Sequence, residues 1–95
     1  MAKILVVGSD PTERSVHALV VEFAGHECAL ASSVEEALEI LNQGPFDLVV
    51  ADCKRGGSAG DVVRRLKAAS PDAAVLVLTE SVDTVAETDA VLAGP

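Results

Sequence analysis

The sequence predicts an α/β domain built on a doubly wound parallel sheet, and three observations carry that expectation. Residues 4–7, 48–51 and 74–78 are runs of β-branched and apolar residues with no polar alternation, which suits strands covered on both faces. Stretches of helical period separate them. Capping signals stand where those helices should begin: Asp10-Pro11-Thr12-Glu13, and Ser33 with Glu36 three positions on.

Taken in order, Ile4-Leu5-Val6-Val7 is the first strand. Asp10 is placed to cap the helix that follows, Pro11 fits its first position, and Val16, Leu19, Val20 and Phe23 form its apolar stripe. Gly25 is the expected stop. Residues 27–31 read as a short second strand. Val34, Ala37, Leu38 and Leu41 are the stripe of a second helix, broken by Asn42-Gln43-Gly44-Pro45. Leu48-Val49-Val50-Ala51 is the third strand, and residues 54–60, with three glycines, read as a loop. Residues 61–69 are helical, with Val62, Val63 and Leu66 inward and Arg64, Arg65 and Lys67 outward. Ser70-Pro71-Asp72 ends that helix. Residues 74–78 are the fourth strand, and residues 81–93 read as a fourth helix with Val85, Ala86 and Leu92 on its apolar side.

The sum is (βα)₄ in a single domain over residues 1–95. A 95-residue chain with 49% hydrophobic residues can bury one core and is too apolar for intrinsic disorder. A net charge of −8 argues against a module that tracks nucleic-acid phosphates, and two Phe with no Trp or Tyr argue against base stacking. No apolar run has membrane-spanning length, and no signal-peptide layout precedes the first strand, so a cytoplasmic location is expected. Cys28 and Cys53 lack metal-ligand spacing and suit reduced thiols. Cys53 has no predicted base beside it, since His17 and His26 fall on or just after the first helix. The Gly56-Gly57-Ser58-Ala59-Gly60 segment lacks the lysine of a phosphate-binding loop. In a sheet of this kind a site sits outside the carboxyl ends of the strands. That directs attention to residues 8–10, 52–57 and 79–81.

At those strand ends the chain resembles the receiver domain of two-component response regulators. Lys3-Ile4-Leu5-Val6-Val7 with Gly8-Ser9-Asp10-Pro11 is similar to the family's first strand and acidic loop. Phe46-Asp47-Leu48-Val49-Val50-Ala51-Asp52 is similar to its third strand, which ends in the phosphoacceptor aspartate. Gly60 stands where the family has a glycine before its third helix. Val75-Leu76-Val77-Leu78-Thr79 resembles the fourth strand with its terminal Thr or Ser, and residues 90–94 resemble the Ala-x-x-Ala-Gly ending of the fourth helix. The resemblance implies a CheY-like, flavodoxin-like fold with strand order 2-1-3-4. It makes Asp52 the phosphoacceptor candidate and Thr79 the switch candidate, and it implies a histidine kinase or an output domain as partner.

The departures shape the expected function. The family's acidic pair, which helps to hold Mg²⁺, falls on Gly8 and Ser9; Asp10 lies one place later and suits a helix cap. Gly56 replaces a usual proline, and Glu80 a usual small residue. With Asp52 the main charged ligand left, Mg²⁺ binding should be weak and phosphorylation slow or absent. Lys54 and Arg55 could compensate the charge of Asp52. The family's lysine at the end of a fifth strand is expected to be missing because the chain reaches Pro95 before that unit, a C-terminally truncated receiver. The fourth strand would then be an apolar edge, favouring self-association through the fourth strand and fourth helix. The expected function is a non-enzymatic, receiver-like protein–protein interaction module in signalling. Alternatives are a working phosphoacceptor receiver and a small-ligand-binding flavodoxin-like domain; no direct nucleic-acid or membrane partner is expected.

Overall fold

A computed structural model describes residues 1–53, 59–79 and 90–93. The elements run β1 (Lys3–Val7), α1 (Pro11–Phe23), β2 (Glu27–Ala31), α2 (Val34–Gln43), β3 (Leu48–Asp52), α3 (Ala59–Ala69), β4 (Ala74–Thr79) and β5 (Ala90–Ala93). All strand pairings are parallel, in the order β2-β1-β3-β4-β5. The order 2-1-3-4 read from the sequence is therefore present. It continues, however, into a fifth strand.

That strand corrects two expectations. Residues 90–93 do not end a helix: they pair with β4 from Leu76↔Ala90 to Thr79↔Ala93. The fifth strand is present, and β4 is flanked by β3 and β5 rather than lying at an edge. The bare β4 edge expected to favour self-association is therefore not present. Residues 81–89 of the expected fourth helix lie outside the described residues.

The apolar runs are explained by two-sided burial. Along β1, β3 and β4 the side chains alternate between two cores. Leu5, Val7, Val49, Ala51, Val75 and Val77 meet Ala37 and Leu41 of α2 and Val63 and Leu66 of α3. Ile4, Val6, Val50 and Leu78 form the second core on the opposite face, with Val21 of α1 packed against it. The first core holds the side chains with no exposure at all, including Leu5, Val49 and Leu66.

Local chemistry fixes the helix ends. The Asp10 carboxylate accepts the backbone N–H groups of Thr12 (2.8 Å) and Glu13 (3.1 Å). Gly25 ends α1 at φ +89°, a backbone region that favours glycine. Gly25 N–H donates to the Glu22 carbonyl and His26 N–H to the Val21 carbonyl, the paired bonds of a Schellman cap. Ser33 Oγ accepts the Glu36 N–H at 3.1 Å. The Glu36 carboxylate reaches back to the N–H of Ser32 at 2.8 Å, one residue before the cap itself. Helix α3 starts at Ala59, so Gly60 belongs to its first turn rather than to the loop.

One helical stripe faces the wrong way for a core. Val16, Leu19, Val20 and Phe23 share a face of α1 as their spacing requires, but they are 52%, 67%, 65% and 96% exposed. The helix packs on the second core through Val21 instead, and Ala18 is its buried residue.

Candidate functional site

The chain crosses from one side of β1 to the other between β2 and β3, so the strand order reverses at the β1–β3 boundary. The carboxyl ends of these strands meet there. Val7 pairs with Ala51, which brings the next residues, Gly8 and Asp52, side by side. A Cβ built on Gly8 would stand 3.6 Å from the Asp52 Cβ. Thr79 closes β4 one position beyond Leu78, the register partner of Asp52. The backbone thus gathers Gly8, Asp52 and Thr79 at one end of the sheet, as the sequence reading expected.

The loop after β1 is held tightly. Gly8 is buried; its N–H donates to the Ala31 carbonyl at 3.0 Å, and its own carbonyl accepts from Arg14 Nη1 at 2.7 Å. Ser9 is exposed. The Asp10 carboxylate is engaged by the first turn of α1. Arg14 is the basic side chain that sequence reasoning missed. Its position four residues after the helix cap was visible, but not its reach back to Gly8. Lys54 and Arg55, expected to compensate Asp52, lie outside the described residues.

The crevice encloses a cavity of about 210 Å³ walled by Gly8 and Ser9, by Ser32 and Ser33 ahead of α2, and by Asp52 and Cys53. Asp52 is half-buried and is the one carboxylate on this wall among the described residues. Burial pushes the Cys53 thiol up from its ordinary value, and the Asp52 charge pushes it further. The thiol is therefore held protonated, the opposite of what a nucleophile needs. Cys28 is raised as well, by burial and then by Glu22. His26 is used structurally, with Nδ1 accepting the Ala2 N–H at 2.9 Å. The basic cluster on α3 is also committed: Arg64 to Asp61, Arg65 to Glu35 of α2, and Lys67 Nζ to the Ala73 carbonyl.

Mg²⁺ takes six oxygens in near-octahedral array and is held by carboxylates with retained waters. Asp52 brings one carboxylate, Gly8 brings no side chain and Ser9 no charge. Among the described residues, no group of three or more His, Cys, Asp or Glu could hold a metal ion. Among the described residues, the crevice offers a cation one carboxylate, that of Asp52.

Residues 4–94 match the family model described as the response regulator receiver domain. The chain belongs to this family. The receiver domain is also similar to the transcriptional regulatory protein ZraR of Escherichia coli K12, at 33% identity over 87 residues. That match covers 88% of the chain but only 20% of ZraR. The response regulator TrrA of Thermotoga maritima, crystallised in complex with Mg²⁺-BeF, aligns with a TM-score of 0.83 and 27% identity, covering 100% of this chain and 88% of that one. A Burkholderia pseudomallei response regulator with a phosphorylated aspartic acid, calcium ion and citrate aligns at 0.86 and 26%, covering 100% of this chain and 61% of that one.

In this receiver domain the lysine question takes a new form. The fifth strand is present, and residues 90–95 read Ala-Val-Leu-Ala-Gly-Pro. No lysine or arginine follows Lys67 anywhere in the sequence. The described strand β5, Ala90–Ala93, contains no lysine. Among the described residues, no helix is long and apolar enough to cross a membrane.

Proposed function

We propose that this receiver domain is a non-enzymatic, cytoplasmic interaction module in two-component signalling, with weak or no phosphorylation of Asp52. The observation that carries the reading is the placement of Gly8 beside Asp52, where a Cβ would stand 3.6 Å from that of Asp52: the residue next to the phosphoacceptor candidate has no carboxylate to offer a cation. Phosphoryl transfer to an aspartate depends on neutralising and positioning charge around the incoming phosphorus. Here the loop supplies glycine and serine, and β5 supplies no lysine. Thr79 then acts as a strand-end residue rather than as a phosphoryl-driven switch.

The test is incubation of the protein with Mg²⁺ and acetyl phosphate, read by intact-mass spectrometry beside Asp52→Asn. The reading expects no phosphoryl adduct on either. A phosphoryl adduct on the wild type, absent from Asp52→Asn, would establish a working phosphoacceptor instead. That second reading is favoured by the likeness to the phosphorylated Burkholderia regulator. A small-ligand site is less well supported, because about 210 Å³ falls below the usual 300–1,000 Å³ of such pockets.

A further inference from the structure

His26 ties three elements together at the amino end of the sheet. Its backbone N–H donates to the Val21 carbonyl and so helps to end α1. Its half-buried imidazole accepts the Ala2 N–H through Nδ1 at 2.9 Å. The next residue, Glu27, opens β2 and donates its N–H to the Ala2 carbonyl at 2.9 Å. Ala2 is thus held through both of its backbone groups, and it packs against the second core. Lys3 is held separately. Its N–H donates to Asp47 Oδ2 at 2.8 Å, and its carbonyl accepts the Asp47 N–H at 2.8 Å.

The two tethers differ in chemistry. A carboxylate accepts in its ordinary charged state, whereas an imidazole nitrogen accepts only while it carries no proton. The bond from Ala2 therefore assigns the ring's proton to Nε2. A second proton would turn Nδ1 into a donor facing a donor, and an imidazolium has no other acceptor to offer. The charged groups around the ring come from all three elements: Glu22 from α1, Glu27 from β2 and Lys3 from β1. With His26 they line one depression of about 510 Å³, which also holds the Cys28 thiol. The two carboxylates there offer an imidazolium the charge-assisted bonds that Ala2 cannot.

We propose that His26 is a proton-operated latch on the start of β1. Neutral, it holds Ala2 against the second core; charged, it lets Ala2 go and turns to Glu22 and Glu27. Lys3 stays on Asp47, so the release is confined to the residues ahead of it. Because the sheet is parallel, the latch lies at the opposite end from Asp52. It does not depend on whether Asp52 is phosphorylated.

The experiment follows the Ala2 and Lys3 amides by NMR hydrogen exchange from about pH 7.5 to about pH 5.5, across the range in which imidazole changes charge. The protein keeps Met1, verified by mass, and each rate is divided by the intrinsic rate at that pH. Protection of Ala2 should fall about fivefold on acidification, the worth of one hydrogen bond, while that of Lys3 holds. In His26→Gln the side-chain carbonyl can accept in every protonation state, so Ala2 protection should not change with pH. Other groups that titrate in this window act equally on that variant. In the unaltered protein, ¹⁵N shifts of the ring should place the proton on Nε2 at the upper pH. Constant Ala2 protection in the wild type, an equal fall in His26→Gln, or a ring proton on Nδ1 at the upper pH would overturn the latch.

Discussion

Gly8 and Asp52 stand side by side across the β1–β3 boundary, with room at Gly8 for a Cβ in ordinary contact, 3.6 Å from that of Asp52. A side chain at position 8 would therefore stand beside Asp52 without a clash. Gly8→Asp with Ser9→Asp should give measurable Mg²⁺ binding by calorimetry where the wild type gives none. Without the cation, the added carboxylates beside Asp52 should repel it and lower the melting temperature at neutral pH. That loss should shrink on acidification as the cluster takes up a proton.

A buried residue of β1 and an exposed residue of α1 make opposite predictions for stability. Leu5 is fully buried in the larger core, so Leu5→Ala should cost about 2–5 kcal/mol in urea unfolding. Phe23 is 96% exposed, and Phe23→Ala should change stability by no more than about 0.5 kcal/mol. A large loss for Phe23→Ala would contradict the outward orientation of the stripe.

The ends of α1 should be separable by mutation. Asp10→Ala removes the acceptor for two backbone N–H groups and should cost about 1 kcal/mol. Gly25→Ala forces a side chain into φ +89° and should cost roughly 1–2 kcal/mol. Because the Asp10 carboxylate caps α1, Asp10→Asn should retain most of the stability lost in Asp10→Ala.

Cys53 gives an alkaline signature. Its thiol is raised above the ordinary value of 9.0, first by burial and then by Asp52. The folded state thus holds this proton more tightly than the unfolded chain does. The stability this confers is fully present below pH 9 and is lost as pH rises from there through the folded-state value. Asp52→Asn removes the second cause. It should bring the onset of Cys53 alkylation by iodoacetamide to lower pH, measured as a rate profile in a Cys28→Ser background.

Much of this fold was legible in the sequence for a physical reason. Strands buried on both faces have nothing polar to alternate with, so residues 4–7, 48–51 and 74–78 declared themselves. Asp10, Ser33 and Gly25 marked helix ends because unpaired backbone groups there require such residues. The Ala-Val-Leu-Ala run at 90–93 was not legible, because a four-residue apolar run satisfies a strand or a helix end equally well. The orientation of α1 was hidden too: periodicity groups Val16, Leu19, Val20 and Phe23 on one face without saying whether that face meets the sheet. At the site, Gly8, Asp52 and Thr79 could be assigned to strand ends from the sequence. The Arg14 bond to the Gly8 carbonyl could not, since it depends on where the helix sits after the loop turns.

The most direct test of the central claim is the extent of Asp52 phosphorylation under saturating Mg²⁺ and acetyl phosphate, followed by intact mass. Wild type, Asp52→Asn and the Gly8→Asp, Ser9→Asp variant should be compared side by side. The vacated acidic loop predicts no adduct on the first two. Stoichiometric modification of the wild type, abolished by Asp52→Asn, would contradict it.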